Sequence, residues 1–88
     1  MIVKYRKAFF NDVGKIKNLR HIEDIEFITE AANRCTSPEE IPGYRSLRQY
    51  PGKARIEVKP FRIGVEVIGD TIIFKRVLLR SFFYLQFP

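Results

Sequence analysis

The sequence predicts an α+β fold of two layers, an antiparallel β-sheet with a two-helix hairpin packed on one face, in the order β-α-α-β-β-β. Three observations predict it. Apolar residues recur at helical spacing between residues 8 and 35, they alternate with polar ones between residues 54 and 68, and tight-turn residues separate the alternating runs. Of the 88 residues, 45% are hydrophobic, with eight Phe and four Tyr. Such a chain has apolar surface for one core and is too short for two, so residues 1–88 are expected to form a single ordered domain.

Residues 2–6 alternate, with Val3 and Tyr5 opposite Lys4 and Arg6, as in a short strand. From Ala8 the period changes. Phe9, Val13 and Ile16 fall at i, i+4 and i+7 with Asp12, Lys15 and Lys17 between them, which predicts an amphipathic helix over 8–18. Ile22, Ile25, Ile28, Ala32 and Cys35 form the stripe of a second helix over 21–35, and its early Glu23, Asp24 and Glu26 suit the positive end of the helix dipole. The link from Leu19 to His21 is so short that the two helices must form an antiparallel hairpin.

Thr36 to Gly43 is a loop, broken by Pro38, Pro42 and Gly43. Tyr50-Pro51-Gly52-Lys53 carries Pro and Gly at the central positions of a type II turn. After it, Ile56 and Val58 alternate with Arg55, Glu57 and Lys59; Phe61, Ile63, Val65 and Val67 then alternate with Arg62, Gly64 and Glu66. Gly69-Asp70 closes a tight hairpin into a strand from Thr71 to Leu79. That strand is apolar on both sides at its start and basic at Lys75 and Arg76, as expected of a central strand covered by helices on one face and partly by loops on the other. The expected core comprises Phe9, Val13, Ile16, Ile25, Ile28, Ile56, Val58, Ile63, Val65 and Val67.

Cys35 is the single cysteine, so no intramolecular disulfide forms, and its place on an apolar stripe makes it a buried hydrophobe rather than a nucleophile. His21 is the single histidine. No Cys/His cluster exists to hold a zinc ion, and neither a metal nor a cofactor is expected. The opening Met-Ile-Val-Lys-Tyr-Arg-Lys puts charges where a signal peptide needs apolar residues, and no run approaches the ~20 apolar residues of a membrane span. A soluble cytoplasmic protein with no membrane partner is expected.

Charge is unevenly divided. Residues 1–43 carry seven Lys/Arg against seven Asp/Glu, whereas residues 44–88 carry nine against three, so the whole formal +6 lies in the β half. Cations displayed on a sheet form a phosphate-binding surface, since each one that pairs with a phosphate releases condensed counterions. The plainer alternative is a solvated basic face. Arg55 and Arg62 lie on consecutive antiparallel strands and both point away from the apolar positions. Arg80 ends the next strand, and Tyr84 follows four residues later. Together they would hold a phosphate bidentately and offer a proton donor or acceptor. Alternatively, the arginines pair separately with Glu57, Glu66 and Asp70.

The stretches Leu47-Arg48-Gln49-Tyr50-Pro51-Gly52-Lys53-Ala54-Arg55-Ile56-Glu57-Val58, Phe61-Arg62-Ile63-Gly64-Val65-Glu66-Val67 and Val77-Leu78-Leu79-Arg80 with Tyr84 resemble the RelE branch of the RelE/ParE superfamily of bacterial toxins. In that family a leucine-arginine turn leads into a strand opening on a basic residue. A Tyr-Arg-hydrophobic strand follows, then one ending Val-Gly-His-Arg before a Val-Tyr pair. The resemblance implies a RelE-like fold and a ribosome-dependent endoribonuclease that cuts messenger RNA and is silenced by an acidic antitoxin protein. It matches Arg55, Arg62, Arg80 and Tyr84 to the family's site. The chain departs from the pattern at Glu57, where many members have a second basic residue, and at Leu79, where many have histidine.

RNA carries its own nucleophile, the 2′-hydroxyl, so cleavage needs that group deprotonated, the charge at phosphorus stabilised and the leaving 5′-oxygen protonated, with no metal required. Arg62 and Arg80 are the candidates for charge stabilisation. Arginine, with a pKa above ~12, is never the base, which leaves Glu57 or Tyr84. Glu57 among arginines is a weak base and is suited to orienting Arg55 or Arg62; Tyr84 is favoured for proton transfer and for stacking on a base. Arg45, Arg48, Lys53, Lys59 and Arg76 are the expected RNA-binding residues. Two alternatives stay open, a ParE-like protein that inhibits DNA gyrase without chemistry on RNA, and an RNA- or ribosome-binding module without catalysis.

Overall fold

The computed structural model describes residues 1–88. At its centre β4 (Phe61–Ile68) runs antiparallel between β3 (Lys53–Val58) and β5 (Thr71–Leu79), as the alternation predicts. Two short strands flank this centre, β1 (Ile2–Tyr5) beside β5 and β2 (Tyr44–Ser46) beside β3, so the sheet order is β1-β5-β4-β3-β2. The sheet is mixed rather than purely antiparallel, because β1 runs parallel to β5, pairing Ile2 with Thr71 and Tyr5 with Phe74. The helical hairpin between β1 and β2 carries the chain from one edge of the sheet to the other. β2 is an addition to the expected order. With three residues, none of them buried, it offers no periodicity to read.

The hairpin consists of α1 (Lys7–Gly14) and α2 (Leu19–Arg34). α1 stops earlier than its stripe predicts because Asn18 caps the next helix, its side chain accepting from the Arg20 N–H at 2.9 Å. The intervening residues turn tightly, Lys15 N–H to Asp12 O at 3.1 Å and Ile16 N–H to Val13 O at 3.0 Å. No helix is long and apolar enough to cross a membrane.

Phe9 of α1 and Ile25, Ile28 and Ala32 of α2 are buried against Ala54, Ile56, Ile63, Val65, Ile72, Phe74 and Val77 of the sheet. Of the expected core, Val13, Ile16, Val58 and Val67 are only partly buried and pack around its margin. Cys35, buried, follows the last residue of α2; it is a free thiol whose Sγ lies 3.3 Å from Ala32 O. Gly52 takes φ +81° in the turn before β3, and Lys53 N–H closes that turn onto Tyr50 O at 3.0 Å.

The faces of β5 are set by a bulge. Val65 pairs with Phe74 and Gly64 with Arg76, leaving Lys75 unpaired between them, so side chains before and after it change their alternation. Ile72, Phe74 and Val77 thereby all reach the core. On the opposite face lies a second, smaller cluster. There the last helix, α3 (Phe83–Gln86), and the residue after it bury Phe83 and Phe87 against Leu78, with Leu47 at the margin.

Candidate functional site

The face of the sheet away from α1 and α2 carries the candidate site. Glu57 on β3 and Arg62 on β4 sit directly opposite each other, and Arg55 lies two residues before Glu57 on the same face. Arg80 opens the 3₁₀ turn after β5, where its N–H donates to Pro60 O at 3.1 Å and so ties it to the β3–β4 hairpin. The three arginines do not pair separately with three carboxylates. All meet at Glu57. Oε1 accepts from Arg55 Nη1 and from Arg62 Nε, each at 3.0 Å, and Arg80 Nε lies 3.0 Å from Oε2. The Arg80 contact is an ion pair without hydrogen-bond alignment, so the buried Oε2 has a charge partner but no hydrogen-bond donor. Partial burial pushes the Glu57 carboxyl up, but the Arg62 hydrogen bond and the charges of Arg62, Arg80 and Arg55 outweigh it and hold the group below the ordinary carboxylate value.

Tyr84 stands at the rim, 57% exposed, with the Arg62 guanidinium carbon 5.6 Å from its ring centroid. α3 is only four residues long, and its position comes from its flanking rings rather than from helix propensity. Phe83 and Phe87, at i and i+4, anchor on one side while Tyr84 points out on the other. Phe87 lies against the backbone of β4, where a Cβ at Gly64 would come within 2.6 Å of its ring. Sequence reasoning named the tyrosine but not its seat. The signal was the Phe83/Phe87 spacing together with a glycine inside an otherwise apolar strand.

Beside Tyr84 opens a groove of about 450 Å³, with Arg48, Gln49 and Tyr50 on one side and Tyr84 and Phe87 on the other. β2 extends the same face, because Arg45 pairs directly with Arg55 across the two strands. Arg45, Arg48 and Lys59 are exposed. Lys53 instead joins Lys75 on Glu66, at 3.7 and 3.4 Å.

Arg76 is not brought to this site. Its guanidinium is bound bidentately by Asp12 of α1, Nε to Oδ2 at 2.7 Å and Nη2 to Oδ1 at 3.1 Å, and Oδ2 also accepts the Val77 N–H at 2.9 Å. Asp12 is the only buried charged residue. The pair belongs to the packing of α1 on β5, and the hydrogen bond to Asp12 raises the Arg76 pKa further, against the smaller effect of burial. Asp70, the third proposed carboxylate, takes no arginine; its carbonyl accepts the Ile2 N–H at 2.9 Å.

No family model matches the chain. It is 37% identical, over the full length of both proteins, to Toxin RelE3 of Methanocaldococcus jannaschii. The chain belongs to the RelE family of toxins. Among solved structures, this RelE-family chain is similar to the RelB–RelE antitoxin–toxin complex of Methanococcus jannaschii, with a TM-score of 0.82 and 33% identity over 97% of this chain and 99% of that one. The YoeB dimer of Staphylococcus aureus (TM-score 0.72, 13% identity, 91% of this chain and 97% of that one) shares the fold. So does the RelBE2 toxin–antitoxin complex of Mycobacterium tuberculosis (TM-score 0.68, 17% identity, 90% and 96%). The RelE-like α+β architecture expected from the sequence is therefore the observed one, with the parallel β1 and the added β2 as its refinements.

Proposed function

We propose that this RelE-family toxin is an endoribonuclease that cuts messenger RNA on the ribosome without a metal, and that an acidic antitoxin silences it. The observation that carries the reading is the convergence of Arg55, Arg62 and Arg80 on one carboxylate, with the Tyr84 ring against Arg62, on the face away from α1 and α2. A cleft of fixed cations is worth most where negative charge develops, which in RNA cleavage is at phosphorus as the 2′-oxygen attacks. Arg62 and Arg80 face that charge. Tyr84 makes one of the two proton transfers, from the 2′-hydroxyl or to the departing 5′-oxygen, and water makes the other, so that as the 2′-O–P bond forms and the P–O5′ bond breaks the strand is left with a cyclic phosphate and a 5′-hydroxyl. Arg45, Arg48 and Lys59 hold the flanking phosphates, and the groove between Tyr50 and Tyr84 offers aromatic faces to a base.

The antitoxin reading is supported by relatives solved as toxin–antitoxin complexes. A surface this basic is complemented by an acidic, extended partner that brings carboxylates to the arginines.

The test is induction in bacteria with mapping of messenger 5′ ends. The parent should create new 5′ ends inside translated messages and none when ribosomes are kept off the message, and Arg62→Ala should create none. A parent that arrests growth while leaving messages whole and gyrase impaired would refute the nuclease reading.

A further inference from the structure

Glu57 is the feature of the site that RNA cleavage does not by itself require. Three guanidiniums within reach of one another repel, and arginine side chains have large rotamer freedom, so without an anion they would splay into solvent. The contacts show how the carboxylate prevents this. Arg62 and Arg80 approach Glu57 most closely through Nε, and Arg55 through Nη1, each at 3.0 Å. The Nη nitrogens of Arg62 and Arg80 make no hydrogen bond within the protein. A guanidinium is a planar fork, and one held at Nε keeps its Nη–Nη edge, the edge that matches two phosphate oxygens, unspent. Burial orders the set. The Arg55 and Arg62 side chains are 19% and 16% exposed, and Arg80 is the outer member at 48%.

We propose that Glu57 is the positioning residue of the site, a fixed internal anion that holds Arg62 by a hydrogen bond at Nε and Arg80 by charge, and so aims their Nη edges at one phosphate of the RNA. The inference rests on the nuclease reading and deepens it. Glu57 is neither the base nor a competitor for the phosphate place. Its Oε2 is buried, and its Oε1 already accepts from Arg55 and Arg62. Three guanidiniums less one carboxylate still leave a net positive centre to meet the charge that builds at phosphorus.

The test combines arginine side-chain NMR with kinetics on ribosome-bound message, using Glu57→Gln and Glu57→Asp. In ¹⁵N-labelled parent, the Nε–H signal of Arg62, assigned through Arg62→Lys, should exchange slowly with water; in Glu57→Gln it should merge with the exposed arginines while the backbone amide spectrum keeps its dispersion. Glu57→Gln should lower kcat by roughly 10- to 100-fold, the cost of misaimed groups, with KM unchanged or lower because the site has gained net positive charge. Glu57→Asp, which keeps the charge, should recover part of kcat. Slow Nε–H exchange that survives in Glu57→Gln would overturn the proposal. So would a kcat equal to or above the parent's, or a fall in kcat matched by an equal rise in KM. A parent that cuts no message defeats the nuclease reading and with it the role of Glu57 in turnover; the NMR arm, which needs no RNA, shows separately whether the grip exists.

Discussion

Asp12 spends its carboxylate on two nitrogens of one guanidinium and on a backbone N–H, whereas Glu57 divides two oxygens among three guanidiniums. The Asp12–Arg76 pair is closed. Its donors and acceptors match, it sits where α1 crosses the bulge of β5, and the Arg76 fork has both of its contacting nitrogens committed to Asp12. The Glu57 group is open, with more cationic edges than its carboxylate can satisfy and with the surplus on the sheet face that no long helix covers. Both are arginine–carboxylate contacts at about the same distance. What separates the two is how many guanidiniums share one carboxylate and the side of the sheet on which they lie.

That contrast can be broken most forcefully at the open group. Arg62→Ala or Arg80→Ala should cost roughly 100- to 1000-fold in single-turnover cleavage, the usual loss for one charge-stabilising donor, with the denaturation midpoint little changed. If either variant lost stability instead of rate, the two groups would be alike. Asp12→Ala should do the reverse. It leaves Arg76 without its anion and the Val77 N–H without an acceptor, and should cost ~3 kcal/mol in urea unfolding, the low end for breaking a buried pair because Arg76 is partly exposed, while protein that remains folded still cuts RNA.

Gly64→Ala couples the regions. The new methyl meets the Phe87 ring, so α3 must shift, at ~1–3 kcal/mol, and Tyr84 moves with it. Cleavage should fall more than stability alone explains, and RNA binding in ribosome pull-down should persist. The smallest effect is acid sensitivity. Because the folded-state pKa of Glu57 is depressed below its ordinary 4.5, the group stabilises the fold above that value and the contribution is lost as pH falls through the folded pKa. Thermal midpoints measured from pH 6 downward should drop more steeply for the parent than for Glu57→Gln once pH passes below 4.5; parallel curves would mean that the carboxylate is not held by its arginines.

Local pattern made much of this molecule readable in advance. Alternation in β3 and β4 placed Ile56, Ile63 and Val65 inside and Arg55, Glu57 and Arg62 outside, and those outward positions lie together with Arg80 and Tyr84. What escaped was non-local or too short. A bulge at Lys75 resets the register of β5, so no uniform alternation assigns its faces. The partner of Arg76 lies 64 residues earlier, and no spacing rule links an aspartate inside one helical stripe to an arginine on a later strand. Three residues of β2 carry no period, yet they bring Arg45 beside Arg55. The convergence of three arginines on Glu57 follows from cross-strand register, which sequence alone gave only as proximity.

The pairing of β1 with β5 and the seating of Phe87 over Gly64 also set an order of events in time. While the chain is being made, its first strand has no neighbour until Thr71 to Leu79 have been added, and Tyr84 has no seat until Phe87 follows. A nascent chain still being extended on a ribosome therefore carries the arginines without the structure that aims them. On the proposed nuclease reading, cleavage waits for both contacts to form, which gives an antitoxin present during synthesis its chance to bind first.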